Sequence, residues 1–125
     1  MKRLVLDLDN TLTQTRGEGV SYRDVLPDPE MVEKVRHYKA DGFAIIIATS
    51  RNMRSYNNSI GEINAKTLPI IIEWLEKHQI PYDEIHVGKP WCGHDGFYVD
   101  DRAIRPDEFL KLPYEKIREL VGEGD

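Results

Sequence analysis

The chain has 125 residues, 40% hydrophobic and 31% charged, with a formal net charge of −5 and one cysteine. That is the length and balance of one soluble domain with a single core. It excludes an internal disulfide, a membrane-spanning run and the basic block needed for broad, non-specific nucleic-acid binding. A strand-like pattern begins by residue 4 and leaves no room for a signal peptide, so a cytoplasmic protein is expected.

Leu4, Val5, Leu6 and Leu8 predict a first strand, which ends in Asp7-Leu8-Asp9. Residues 12–28 are too polar and glycine-rich for a core element and predict a loop or small hairpin. Pro29 to Asp41 predicts a helix: Pro29 suits the first turn, Asp28 the cap, and Met31, Val32, Val35 and Tyr38 share one face. Gly42 stops it. Phe43 to Thr49 is almost continuously apolar, as in a parallel strand covered on both faces. A polar segment follows. A second helix is expected from about Ala65 to His78, with Leu68, Ile71, Ile72 and Leu75 on its core side. Ile85 to Val87 predicts a third strand, Gly96 to Val99 a fourth, and Tyr114 to Val121 a last helix. Alternating strands and helices predict a Rossmann-like α/β fold, a parallel sheet with helices on both faces, as one domain over residues 1–125.

In such sheets ligands bind beyond the carboxyl ends of the strands. Here those ends carry Asp7 and Asp9, then Thr49-Ser50-Arg51, then Asp100-Asp101. Clustered carboxylates repel unless a cation compensates, and a set of oxygen donors favours Mg²⁺. Positions i and i+2 of an extended chain point to the same side, so Asp7 and Asp9 can act on one substrate. One is suited to nucleophilic attack and the other to general acid work. The lone pair Cys92 and His94 offers too few ligands for a zinc site.

Four stretches in order resemble the motifs of the haloacid dehalogenase superfamily of phosphohydrolases. DLDNTLT is similar to its Asp-x-Asp-x-Thr motif, IIIATS to its strand ending in Thr or Ser, HVGKPW to its lysine, and FYVDDRAIRPDEF to its acidic pair. The whole sequence also resembles small bacterial proteins of that superfamily labelled capsular or polysaccharide biosynthesis phosphatases. The resemblance implies Mg²⁺-dependent phosphomonoester hydrolysis through an aspartyl-phosphate. It casts Asp7 as nucleophile and Asp9 as general acid and base. Thr49 would bond the phosphoryl oxygens and Lys89 would offset charge. The metal would be held by Asp7, the Asp9 backbone carbonyl and one of Asp100 and Asp101. Dehalogenases lack the second carboxylate, so Asp9 favours phosphatase or phosphomutase chemistry.

Superfamily members usually insert a cap domain. Residues 12–28 and 51–64 are too few for one, so a capless, open site is expected unless these segments or another subunit cover it. A homo-oligomer would provide such cover. The expected substrate is a sugar phosphate or other small metabolite phosphate, with Tyr22, Arg23, Arg51 and Asn52 as candidate contacts. A polynucleotide 3′-phosphatase is the competing enzyme, and the net acidity weighs against nucleic acid as a partner. A phosphate-accepting switch or assembly domain is the non-enzymatic alternative; it would have no use for a leaving-group acid at Asp9.

Overall fold

Apolar residues at both faces of one strand dictate where the sheet is centred. Ala44–Ala48 forms β2, and Ile45, Ile46 and Ile47 are all buried. It is flanked by Arg3–Leu6, β1, and Glu84–His86, β3. The order is β1-β2-β3, with both pairs parallel and with Leu6 opposite Ile47 and Ala48 opposite His86. The computed structural model describes residues 2–122. None of its helices is long and apolar enough to cross a membrane.

The crossover from β1 to β2 runs through Pro29–Ala40, α1. Its start is as the sequence predicts: Asp28 accepts the backbone N–H groups of Glu30 and Met31, and proline occupies the first turn. Met31, Val32, Val35 and Tyr38 form its buried face. Gly42, at φ 96°, reverses the chain into β2, a conformation that costs glycine little.

The crossover from β2 to β3 departs from expectation. The helix starts earlier, with Ile60–Glu62, α2, whose Ser59 cap accepts the Glu62 N–H. A π-helical turn, Ile63–Thr67, intervenes before Leu68–Lys77, α3. The polar residues Asn64, Lys66 and Thr67 within that turn conceal this continuation from a period count. Ile72, expected on the core side, is exposed, and Trp74 takes the buried place beside Ile71 and Leu75. Spacing of three and then one residue puts these three on one stripe, while Ile72 lies about 100° round from Ile71. Arg36 of α1 donates to the carbonyls of His78 and Gln79, tying the end of α3 to α1.

Residues 12–28 form a loop closed by one antiparallel bridge between Thr13 and Pro27. Leu12 and Val25 anchor it in the core, and Trp74 Nε1 donates to the Val25 carbonyl at 2.8 Å. The architecture is an open parallel α/β sheet with flanking helices, Rossmann-like, with no cap subdomain among the described residues.

The chain forms two compact units, Met1–Trp91 and Cys92–Asp125. The second contains Pro106–Lys111, α4, and Tyr114–Leu120, α5. Helix α4 was not anticipated; Pro106 opens it, Glu108 accepts the Arg105 N–H, and Phe109 is its buried residue. The expected fourth strand is absent from the described residues. Gly96 to Val99 has no regular structure, and Phe97, Tyr98 and Val99 are exposed. An apolar run signals strand propensity, but a strand exists only with a neighbour to bond, and the described residues of the second unit contain none.

Candidate active site

Strand β1 ends at Leu6, and the next three residues set the site. Leu8 is fully buried and fixes the turn from beneath. Its carbonyl accepts the N–H groups of Thr11, Leu12 and Thr13 at 3.3, 2.9 and 3.1 Å. Asn10 adopts φ 61°, and its N–H donates to Thr13 Oγ1 at 3.0 Å. Asparagine tolerates this left-handed conformation better than most residues. With Leu8 turned inward, Asp7 and Asp9 are left partly exposed on either side of it.

Strand β2 delivers Thr49 next to this turn. Thr49 is buried; its N–H donates to the His86 carbonyl, and its carbonyl accepts the Lys89 N–H at 3.1 Å. The end of β2 therefore holds the segment after β3 by its backbone. Gly88, at φ 84°, makes the turn that brings Lys89 round. Lys89 Nζ lies 3.9 Å from Asp7 Oδ1. Burial pushes the Asp7 carboxyl above its ordinary range, and the charge of Asp9 adds to that. Lys89, the Leu8 backbone N–H and Arg51 pull it back. The net rise shows that burial outweighs the cations present, so Asp7 sits as a charge not fully compensated.

Arg51 follows Thr49 by two residues and turns inward, its N–H donating to Thr49 Oγ1 at 3.1 Å. Its side chain is 1% exposed and reaches back to β1: Nη2 lies 2.7 Å from Asp9 Oδ1 and Nε 3.3 Å from Oδ2. Tyr22, from the loop 12–28, stacks on the Arg51 guanidinium at 4.1 Å, and Arg16 lies at the same distance from that ring. The loop thus folds over the Asp9 side of the turn.

The first unit gathers Asp7, Asp9, Thr49, Arg51, Lys89 and Tyr22 around two adjacent strand ends. Arg23 pairs instead with Glu73 of α3 at 2.8 Å. Asn52, at φ 64°, accepts the Thr67 hydroxyl at 2.8 Å and so braces the turn after β2. Asp100 and Asp101 belong to the second unit, where both are exposed and Asp100 accepts the Arg102 N–H at 2.8 Å. Among the described residues no three His, Cys, Asp or Glu side chains form a metal-ion cluster.

Sequence reasoning singled out Arg51 but not its pairing with Asp9, 42 positions away. The available signal was opposite charge on the ends of two strands expected to be adjacent. Thr13 was not singled out at all, and its hydroxyl is the one that receives Asn10.

The chain is similar to a crystallised target protein from Vibrio cholerae, with 57% identity over 98% of each chain and a TM-score of 0.93. It also matches D,D-heptose 1,7-bisphosphate phosphatase from B. bronchiseptica, crystallised with magnesium and phosphate. That match has 19% identity over 78% of this chain and 54% of the other, with a TM-score of 0.49. No family model and no curated protein matches the chain.

Proposed function

We propose that this chain, which belongs to one family with the Vibrio cholerae protein, is a haloacid dehalogenase-type phosphatase. It hydrolyses phosphomonoesters through an aspartyl-phosphate on Asp7. The observation that carries this reading is the turn after β1. It leaves two carboxylates, Asp7 and Asp9, partly exposed on either side of a buried Leu8, with Lys89 3.9 Å from the first and Thr49 at the next strand end.

Asp7 attacks the phosphorus in line, and the P–O bond to the leaving alkoxide breaks. Asp9 gives that oxygen its proton, then takes one from the water that cleaves the aspartyl-phosphate and releases phosphate. Its side chain is 33% exposed, so water can reach it. Thr49 Oγ1 donates to a phosphoryl oxygen, and Lys89 offsets charge on the nucleophile and the transferring group. Phosphoryl transfer depends mainly on alignment and electrostatic stabilisation, which this set supplies.

Mg²⁺ fits the donor chemistry. Asp7 offers a carboxyl whose charge is not fully compensated, and the Asp9 backbone carbonyl is a second hard oxygen two residues away. The bound ion would supply positive charge against the phosphoryl oxygens.

The substrate we assign is a small metabolite phosphate, with a sugar phosphate first. The absence of a cap leaves selection to the loop 12–28 and the turn after β2, where Tyr22, Arg23, Arg51 and Asn52 lie. Tyr22, Arg23 and Asn52 each already have an internal partner, so contact with substrate there exchanges one interaction for another, while Arg51 is buried against Asp9.

The test is phosphate release from sugar phosphates, other metabolite phosphates, nucleotides and 3′-phosphorylated oligonucleotides, with Mg²⁺ and with chelator. Turnover that needs Mg²⁺ and is lost in Asp7→Asn supports the reading. Turnover indifferent to both refutes it. A preference for the oligonucleotide by more than about 10-fold in kcat/KM, roughly 1.4 kcal/mol, replaces the metabolite by a polynucleotide. A stable phosphorylated chain without turnover identifies a switch instead.

A further inference from the structure

Arg51 has the wrong surroundings for a residue whose task is to meet substrate. Its side chain is 1% exposed, and Nη1 is buried with no hydrogen-bond partner. A guanidinium has five N–H donors in a fixed plane. Leaving the two on Nη1 unsatisfied in the interior is unfavourable, and burying the charge is tolerated only against an opposite charge. The opposite charge is Asp9, which receives two separate donors, Nη2 and Nε, one on each oxygen. Such a fork fixes both the position and the plane of a carboxyl group, which a single donor or a lysine ammonium does not.

Three further contacts hold the fork itself. The Arg51 N–H donates to Thr49 Oγ1. The turn behind it is braced by Asn52 and Thr67. The face of the guanidinium lies on Tyr22, whose other neighbour is Arg16 at the same 4.1 Å. Arg16 is in turn held by its own loop, with Nη1 donating to the Val20 carbonyl at 2.8 Å. The chain of contacts runs from the loop through Tyr22 and Arg51 to Asp9.

We propose that Arg51 is a positioning residue that aims the Asp9 carboxyl at the leaving-group oxygen, and that Tyr22 keeps Arg51 in place. This rests on the phosphatase reading above, because Asp9 has a leaving group to protonate only in that reaction. It assigns Arg51 a role through Asp9 and not through direct contact with substrate. Its signature lies in the leaving group. An activated nitrophenolate departs with little help from an acid, whereas a primary alkoxide needs its proton in the transition state. Misplacing the acid therefore penalises alkyl esters selectively.

The experiment compares a primary alkyl phosphate with nitrophenyl phosphate in five chains: wild type, Arg51→Gln, Tyr22→Leu, Asp9→Asn and the double variant Asp9→Asn/Arg51→Gln. Arg51→Gln should lower kcat on the alkyl phosphate about 10- to 100-fold more than on nitrophenyl phosphate, with KM for either moving less than about 3-fold. Tyr22→Leu should show the same split at smaller size. The double variant should be no slower on the alkyl phosphate than Asp9→Asn alone, because an acid already removed cannot be misplaced. Circular dichroism reports whether each variant folds, and if Arg51→Gln does not, Tyr22→Leu supplies the split. Equal losses on both esters, a rise confined to KM, or multiplicative losses in the double variant would overturn the assignment. A wild type that turns over neither ester, or an Asp7→Asn that still turns over both, has a different pattern. It removes the phosphatase reading and this inference with it.

Discussion

Two contacts pin the loop 12–28 to α3, and they differ in environment. Trp74, 2% exposed, donates Nε1 to the buried Val25 carbonyl at 2.8 Å. Arg23 and Glu73 make a 2.8 Å ion pair with both side chains more than half exposed. Burial decides which matters. Trp74→Phe leaves a buried acceptor unpaired, about 1–3 kcal/mol. It also deletes the outer part of a packed ring, about a further 1–2 kcal/mol with the cavity it leaves. The expected destabilisation is therefore about 2–5 kcal/mol. Arg23→Ala removes an exposed pair, worth about 0.2–1 kcal/mol, since water solvates both partners once they part. Urea unfolding followed by far-ultraviolet circular dichroism measures both, with the midpoint falling at unchanged slope if the two-state description holds. A Trp74→Phe loss below about 1 kcal/mol, or an Arg23→Ala loss exceeding it, would refute the argument that the buried hydrogen bond is the loop's principal anchor.

Asp9→Asn leaves the buried Arg51 guanidinium without its counter-charge and should lower the unfolding midpoint, yet the folded chain should keep its Mg²⁺ affinity while turnover of an alkyl phosphate slows by about 10²-fold or more; calorimetric loss of Mg²⁺ binding would show that its side chain, not its carbonyl, is the ligand. Asp83 accepts from Lys39 Nζ at 2.8 Å and from the Ile45 N–H at 2.7 Å, and these contacts, the Lys39 bond first, hold its carboxyl below the ordinary range. A depressed carboxyl stabilises the fold above its unfolded-state value, and that contribution is lost as pH falls through the folded one. Asp83→Asn should accordingly lower the thermal midpoint at pH 7 and flatten its decline on acidification below about pH 4; parallel curves for the two chains would contradict this. Gly88→Ala places a Cβ 3.0 Å from the Ile60 side chain at φ 84°. Ile60 is half exposed and can give way, so the cost is mainly the backbone conformation, about 1–2 kcal/mol. It should appear as a loss of stability together with slower turnover, because Lys89 is the next residue.

Legibility in the sequence followed the range of the interaction. Helix α1 was readable to its cap because Asp28, Pro29 and the 31, 32, 35, 38 stripe act within a few residues of one another. Strand β2 was readable because five successive small or aliphatic residues leave no polar face to expose. The turn after β1 was readable as a pair of carboxylates around a buried leucine. Its fine structure was not, because Thr13 bonds Asn10 only once the chain has reversed. Trp74 was passed over in favour of Ile72, although its spacing from Ile71 and Leu75 was the better helical match. The fourth strand failed for a different reason: Phe97, Tyr98 and Val99 carry the right propensity, and propensity contains no information about a neighbour. The Arg51–Asp9 fork lies 42 residues apart in sequence and required the sheet order before it could be seen.

The wide turn at Ile63–Thr67 has a consequence for how this gene can change. Ile63, Thr67, Ile71 and Leu75 are all buried, each four residues after the last. In a continuous α-helix four residues overshoot a full turn by about 40°, so three such steps would swing Ile63 about 120° away from Leu75. The π-helical turn holds more residues per revolution and takes up part of that drift. A one-codon deletion between 63 and 67 would restore a regular helix, yet it would rotate Ile63 off the core and withdraw Thr67 from Asn52. Such in-frame losses should be rare here.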